Sequence, residues 1–149
     1  MRALGLSLSG WRDEEQGARW TEAVLVLDAG GISRLAERSR YAAALILALR
    51  EIDLWPPLVP SVVLVDCLQG HAGRDALTNR FLKTCDIVEE IPEGLARRAA
   101  LLRRRAHRGS AVDAVVVALA EPGGTVVTSD PDDLNGLAAH ADDVTVERV

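Results

Sequence analysis

The chain has 149 residues, 48% of them hydrophobic and 26% charged, which is enough for one domain with a real core and too little for two large ones. Its net charge of −5 excludes a protein held on nucleic acid by bulk electrostatics, so any RNA or DNA contact needs a local basic patch. No segment approaches the roughly 20 apolar residues of a membrane span, and Trp11–Gln16 interrupts the N-terminus before a secretory signal can form. Cys67 and Cys85 have no metal-ligand or disulfide-framework spacing. They read as buried free thiols in a reducing compartment, which predicts a cytoplasmic protein. With aromatics at 3%, the core must be built from Val, Leu, Ile and Ala, a composition suited to a parallel sheet covered by helices.

Residues 1–21 show no sustained hydrophobic period, so ordered structure is expected from Glu22 onward. The segment reads as a loosely attached arm, a partner-binding extension presenting Trp11 and Trp20, or translated sequence ahead of a start near Val24 or Val26. Ala23–Leu27 is a short apolar run and predicts a buried strand. It ends at Asp28, before Ala29-Gly30-Gly31, where glycines permit a sharp turn. Helices are predicted over Ile32–Ser39 and Tyr41–Leu49, then a break at Pro56-Pro57 and a strand at Leu58-Val59.

Ser61 is placed to cap a third helix whose Val62, Val63, Val65 and Leu68 offer one buried face around Asp66. A loop over Gly70–Ala76, a helix over Ala76–Thr84 and a strand over Ile87–Ile91 follow. Glu93–His107 is an amphipathic helix: Leu95, Ala99, Leu102 and Ala106 share one face, and Arg97, Arg98, Arg103, Arg104 and Arg105 the other. Gly109 ends it, and Ser110 caps the next helix with Asp113 at its third position. Pro122-Gly123-Gly124 leads into the strand Thr125–Val127, a helix over Leu134–Ala139 and a last strand over Val144–Val149. Strands alternating with helices over long crossovers predict a three-layer α/β/α domain, residues 22–149, with a mainly parallel sheet.

Four acids stand in settings that draw them inward. Asp28 and Asp130 follow buried strands, Asp66 sits in an apolar helix, and Asp113 sits in a helical first turn. Ligands in open α/β sheets bind beyond the carboxyl ends of strands. Carboxylates gathered there repel unless a cation offsets them. A hard divalent ion, Mg²⁺ or Mn²⁺, suits an all-oxygen site and supports water activation and in-line displacement at phosphorus.

The segments LVLDAGGI, VPSVVLVDCL, GSAVDAVVVALA and TVVTSDPDDL, in this order and spacing, resemble the PIN domain, in particular the VapC-type toxins of bacterial toxin–antitoxin pairs. The resemblance covers residues 23 to 149 and implies a metal-dependent endoribonuclease of the bacterial cytoplasm. It places the family's acids on Asp28, Asp66, Asp113 and Asp130, with Asp28 and Asp113 holding the principal ion. Thr128 and Ser129 match its hydroxyl positions, and Asp133 (or Asp132) a helper acid. It further implies an RNA substrate, a homodimer, and an antitoxin whose tail enters the acidic cleft. One position departs from the pattern: Asp66 stands where glutamate is usual, one methylene shorter, which predicts weaker coordination.

Each feature has a plainer reading. Asp66 and Asp113 suit helical first turns on their own, Asp132 and Asp133 suit a solvated turn, and Cys67 suits core packing. His71, His107 and His140 are isolated. The arginine run is ordinarily a solvated face, and its functional version is a phosphate grip through Arg97, Arg103, Arg104 and Arg108. A phosphotransferase with Asp28 as nucleophile lacks the second aspartate, since position 30 is Gly30, and lacks a late lysine, since Lys83 is the only one. The rival function is a PIN-like module that binds RNA or protein without cleaving.

Overall fold

The computed structural model describes residues 23–149, and the predicted N-terminal arm lies outside the described residues. Five short strands, β1 (Leu25–Leu27), β2 (Leu58–Pro60), β3 (Asp86–Val88), β4 (Thr125–Thr128) and β5 (Thr145–Arg148), form one sheet in the order β3-β2-β1-β4-β5. Every pairing is parallel. Parallel strands need long crossovers and are covered on both faces, which accounts for the unbroken apolar runs in β1 and β2.

The crossovers supply the outer layers. Helices α1 (Ala29–Ala36), α2 (Arg40–Glu51), α3 (Val63–Cys67) and α4 (Ala76–Leu82) group around α1. Helices α5 (Glu93–Ala106), α6 (Ala111–Ala120) and α7 (Asp132–Ala138) pack on one another. The result is a three-layer α/β/α domain. Its core is aliphatic: Leu27, Ile32, Val59, Leu102, Leu119, Val126 and Leu137 are fully buried. Among the described residues no helix is long and apolar enough to cross a membrane.

Several boundaries differ from the sequence reading for physical reasons. Gly30 and Gly31 do not form a turn; they lie in the first turn of α1, which Asp28 caps. They are needed for space. A Cβ on Gly30 would overlap the Ser129 hydroxyl, and one on Gly31 would overlap the Val127 carbonyl. Ser61 does not cap α3, because its amide still follows the sheet and donates to the Val88 carbonyl at 2.9 Å. The helix after it is only Val63–Cys67, and Val65 is 80% exposed instead of sharing a buried face with Val63.

Strand β3 stops at Val88, short of Ile91, and α7 begins at Asp132, so Asp132 and Asp133 lie in a helical first turn. Helix α5 ends on His107 in the left-handed conformation at φ 53°, before Gly109 is reached. Cys67 and Cys85 are free but half-buried, not enclosed.

Candidate active site

The chain runs outward from β1 in two directions: β2 and β3 lie on one side, β4 and β5 on the other. The carboxyl ends of β1 and β4 therefore flank the point where strand order reverses, the usual ligand position in such sheets. In register, Leu27 lies beside Val127, which sets Asp28 next to Thr128.

Both residues are tightly held. One Asp28 oxygen, Oδ1, accepts from the Gly31 amide at 2.7 Å, and Oδ2 accepts from the Thr128 hydroxyl at 2.6 Å. Thr128 is completely buried. Its hydroxyl also receives the Asp130 amide at 3.1 Å, so one side chain fixes both the acid and the turn that follows β4. Ser129 packs on Gly30 and joins that turn to α1.

Asp113 arrives from the other layer. Ser110 caps α6 by accepting from the Asp113 amide at 3.0 Å, and Asp113 Oδ2 accepts from the Ser110 amide at 2.8 Å. This capping box fixes the Asp113 carboxylate at the start of a helix that packs on β1 and β4.

The two acids feel each other. Burial pushes the Asp28 carboxyl above its ordinary value, the Thr128 hydroxyl and Gly31 amide pull it down, and the charge of Asp113 pushes it up again. That is the signature of a carboxylate removed from water beside a like charge.

The remaining predicted acids stand further out. Asp130 is exposed on the turn after β4, and Asp66 is exposed on α3. Neither adds to the shift on Asp28. The apolar surroundings expected around Asp66 are absent, since the short α3 turns it to solvent. Asp133 pairs with Arg108 at 3.1 Å with both side chains about half exposed. Among the described residues, no three His, Cys, Asp or Glu side chains stand together as a ready-made metal cage. The donor chemistry at Asp28 and Asp113 still fits Mg²⁺, which is commonly held by one or two carboxylates with water and substrate phosphate completing its shell.

The arginines predicted to grip phosphate are only partly free. Arg97 pairs with Glu93 at 2.7 Å, Arg103 donates to the Gly109 carbonyl at 3.0 Å, and Arg108 is the Asp133 partner. Arg104 is exposed without a partner among the described residues. Arg98 is structural: it grips Glu121 through two bonds of 2.8 and 2.6 Å, and Glu121 also accepts the Asp142 amide at 2.8 Å.

Sequence reasoning missed Asp75. It is buried and accepts the Gln69 amide at 3.0 Å and the His71 amide at 3.0 Å, closing the loop between α3 and α4. The Gln69 bond, followed by that from His71, holds its carboxyl below the ordinary value. An aspartate before a helix signals an N-cap, but this side chain reaches backward and makes no cap bond.

A scan against protein-family models finds none that matches the chain, and a search of curated proteins finds no match. The functional reading therefore rests on the site and on the sequence resemblance.

Proposed function

We propose that this chain is a Mg²⁺- or Mn²⁺-dependent endoribonuclease, the toxin of a toxin–antitoxin pair. The observation that carries the reading is the half-buried Asp28 carboxylate at the reversal of strand order, held by Thr128 from β4 and Gly31 from α1, with Asp113 at the start of a helix that packs on β1 and β4. Asp28 and Asp113 would hold the cation. A divalent ion supplies Lewis-acid charge for displacement at a phosphodiester.

The chain's own groups prepare that charge. Thr128 and Gly31 orient Asp28, and Ser110 orients Asp113, so neither carboxylate must be ordered when substrate binds. Asp130 and Asp66, both exposed, would be the outer acids of the site, and Asp133 would join them only by leaving Arg108. Arg104 would grip the RNA backbone, joined by Arg103, Arg108 and Arg97 where they exchange their present partners for phosphate.

A homodimer and an antitoxin belong to this reading. Elution at monomer size would remove the homodimer from the account, and a genomic neighbourhood without a small upstream gene would remove the antitoxin.

One rival is favoured by a specific observation. With Asp66 exposed and no three-acid group among the described residues, a module that binds RNA or protein without cleaving is the alternative. Metal binding separates the two. At Mn²⁺ 100-fold above its dissociation constant, linkage gives about 2.7 kcal/mol, or roughly 5–10 °C in Tm for a domain of this size. The nuclease reading expects that shift in the wild type and its loss in Asp28→Asn. No shift in the wild type favours the binding module.

A further inference from the structure

Helix α1 has Asp28 at one end and a second feature at the other, about 12 Å away along its axis. There α1, α2, α4 and Trp55 surround a cavity of about 420 Å³, lined by Leu35, Ile46, Leu77 and Phe81 among others. Trp55 and Phe81 meet edge to face, with ring centroids 6.0 Å apart. Cavities of this volume with mostly apolar walls suit small ligands.

Three arginines stand at the same cavity: Arg38 just after α1, Arg50 in the last turn of α2 and Arg80 in α4. Among the described residues no acid lines it, and none of the three has a carboxylate partner. Arg50 lies over the Trp55 ring at 5.6 Å, while Arg38 and Arg80 are exposed. In a chain of net charge −5, this is a local reversal of sign. The other polar side chain of the wall, Thr84, donates its hydroxyl to the Phe81 carbonyl at 2.7 Å. The cavity therefore selects for apolar shape and negative charge.

Arg38 adds an independent observation. It follows the C-cap Glu37 of α1 in the left-handed conformation, at φ 60°. Glycine suits that position best, because it has no Cβ to clash. An arginine there carries a backbone cost, which points to a use for its guanidinium.

We propose that this cavity binds a small organic anion, with an apolar or aromatic body between α2 and α4 and its acidic group held by Arg38 and Arg80. Guanidinium forks match carboxylate and phosphate oxygens in pairs. The site does not depend on nuclease activity.

Fluorescence titration of the full chain with anilinonaphthalene sulfonate, an aromatic anion, tests it. The expected result is saturable binding at a single site, weakened as salt rises. Arg38→Gln combined with Arg80→Gln should weaken it at least ~10-fold without changing Tm, since neither side chain has an ion-pair partner to lose. Ile46→Asp, at the apolar wall, should weaken it as much. Naphthyl phosphate should displace the dye, and binding of the uncharged phenylnaphthylamine should not respond to the arginine pair. Absence of saturable binding would overturn the proposal, as would sulfonate affinity indifferent to the arginine pair or an equal loss of the uncharged dye. Displacement by polyglutamate or by single-stranded RNA, but not by naphthyl phosphate, would assign the cavity to a macromolecule and overturn it equally.

Discussion

At the residue scale, Asp28 is where stability is given up. Its carboxyl lies above the ordinary 3.8, chiefly through burial. Between 3.8 and the folded value the native state binds more protons than the unfolded state, so stability falls as pH rises through that window and levels off above it. Asp28→Asn keeps an acceptor for the Gly31 amide and a good helix cap. Metal-free Asp28→Asn should therefore melt higher than the wild type at pH 7 and lack this slope, in thermal melts at several pH values.

Asp75 has the opposite sign. Its lowered value contributes stability above 3.8 that is lost as pH falls through the folded value. Asp75→Ala should lower Tm at pH 7 and speed amide exchange at Gln69 and His71. The thiols give a third check. Burial pushes Cys85 up to about 12 and also raises Cys67. Alkylation at pH 8 should be slow at both until the protein is unfolded.

At the scale of elements, much is legible in the residues because local signals and tertiary needs agree. Ser110 and Asp113 announce the start of α6, and the capping box is present in full. Leu95, Ala99 and Leu102 mark the buried face of α5 and are buried as their spacing requires, while Leu101 stands outside it. Failures come where tertiary contact overrides a local rule. Ser61 has the chemistry of a cap, but the sheet continues through its amide to Val88. Gly30-Gly31 resembles a turn, yet the glycines serve the close approach of α1 to β4, a contact no local window contains.

Gly31→Ala forces a methyl into the Val127 carbonyl and should destabilise by about 1–3 kcal/mol. Gly30→Ala meets the more movable Ser129 side chain and should cost less, by denaturant melts. The Arg98–Glu121 pair joins α5, the end of α6 and the loop before β5. Arg98→Ala leaves Glu121, whose side chain is 10% exposed, without its cation. Allowing for the partial exposure of Arg98, the loss should be about 1–2 kcal/mol.

For the whole molecule, the three-layer parallel fold follows from the alternation of apolar strands and long crossovers, which is a property of the residue pattern alone. The site is half readable in the same way. The order of the four acids in the chain is a sequence property, and the fold brings Asp28 and Asp113 within each other's influence. Whether Asp66 and Asp130 join them depends on the length of α3 and the path of one turn, which no residue pattern specifies. Both side chains face solvent. The arginine face divides likewise: Arg98 is absorbed into the fold, and Arg104 stands clear of any partner among the described residues.

The proposed nuclease activity requires Asp28 and Asp113 to act jointly. The direct measurement is cleavage of a mixed RNA pool with Mg²⁺ or Mn²⁺ by the wild type, Asp28→Asn and Asp113→Asn. Asparagine keeps the cap of α1 at position 28 and an acceptor for the Ser110 amide at position 113, so both variants should fold. The expected result is metal-dependent cutting by the wild type that falls at least ~100-fold in each variant, the scale on which loss of a transition-state charge contact is usually felt. Folded, pure wild type that cuts nothing with either ion, or cutting that persists in both variants, would contradict it.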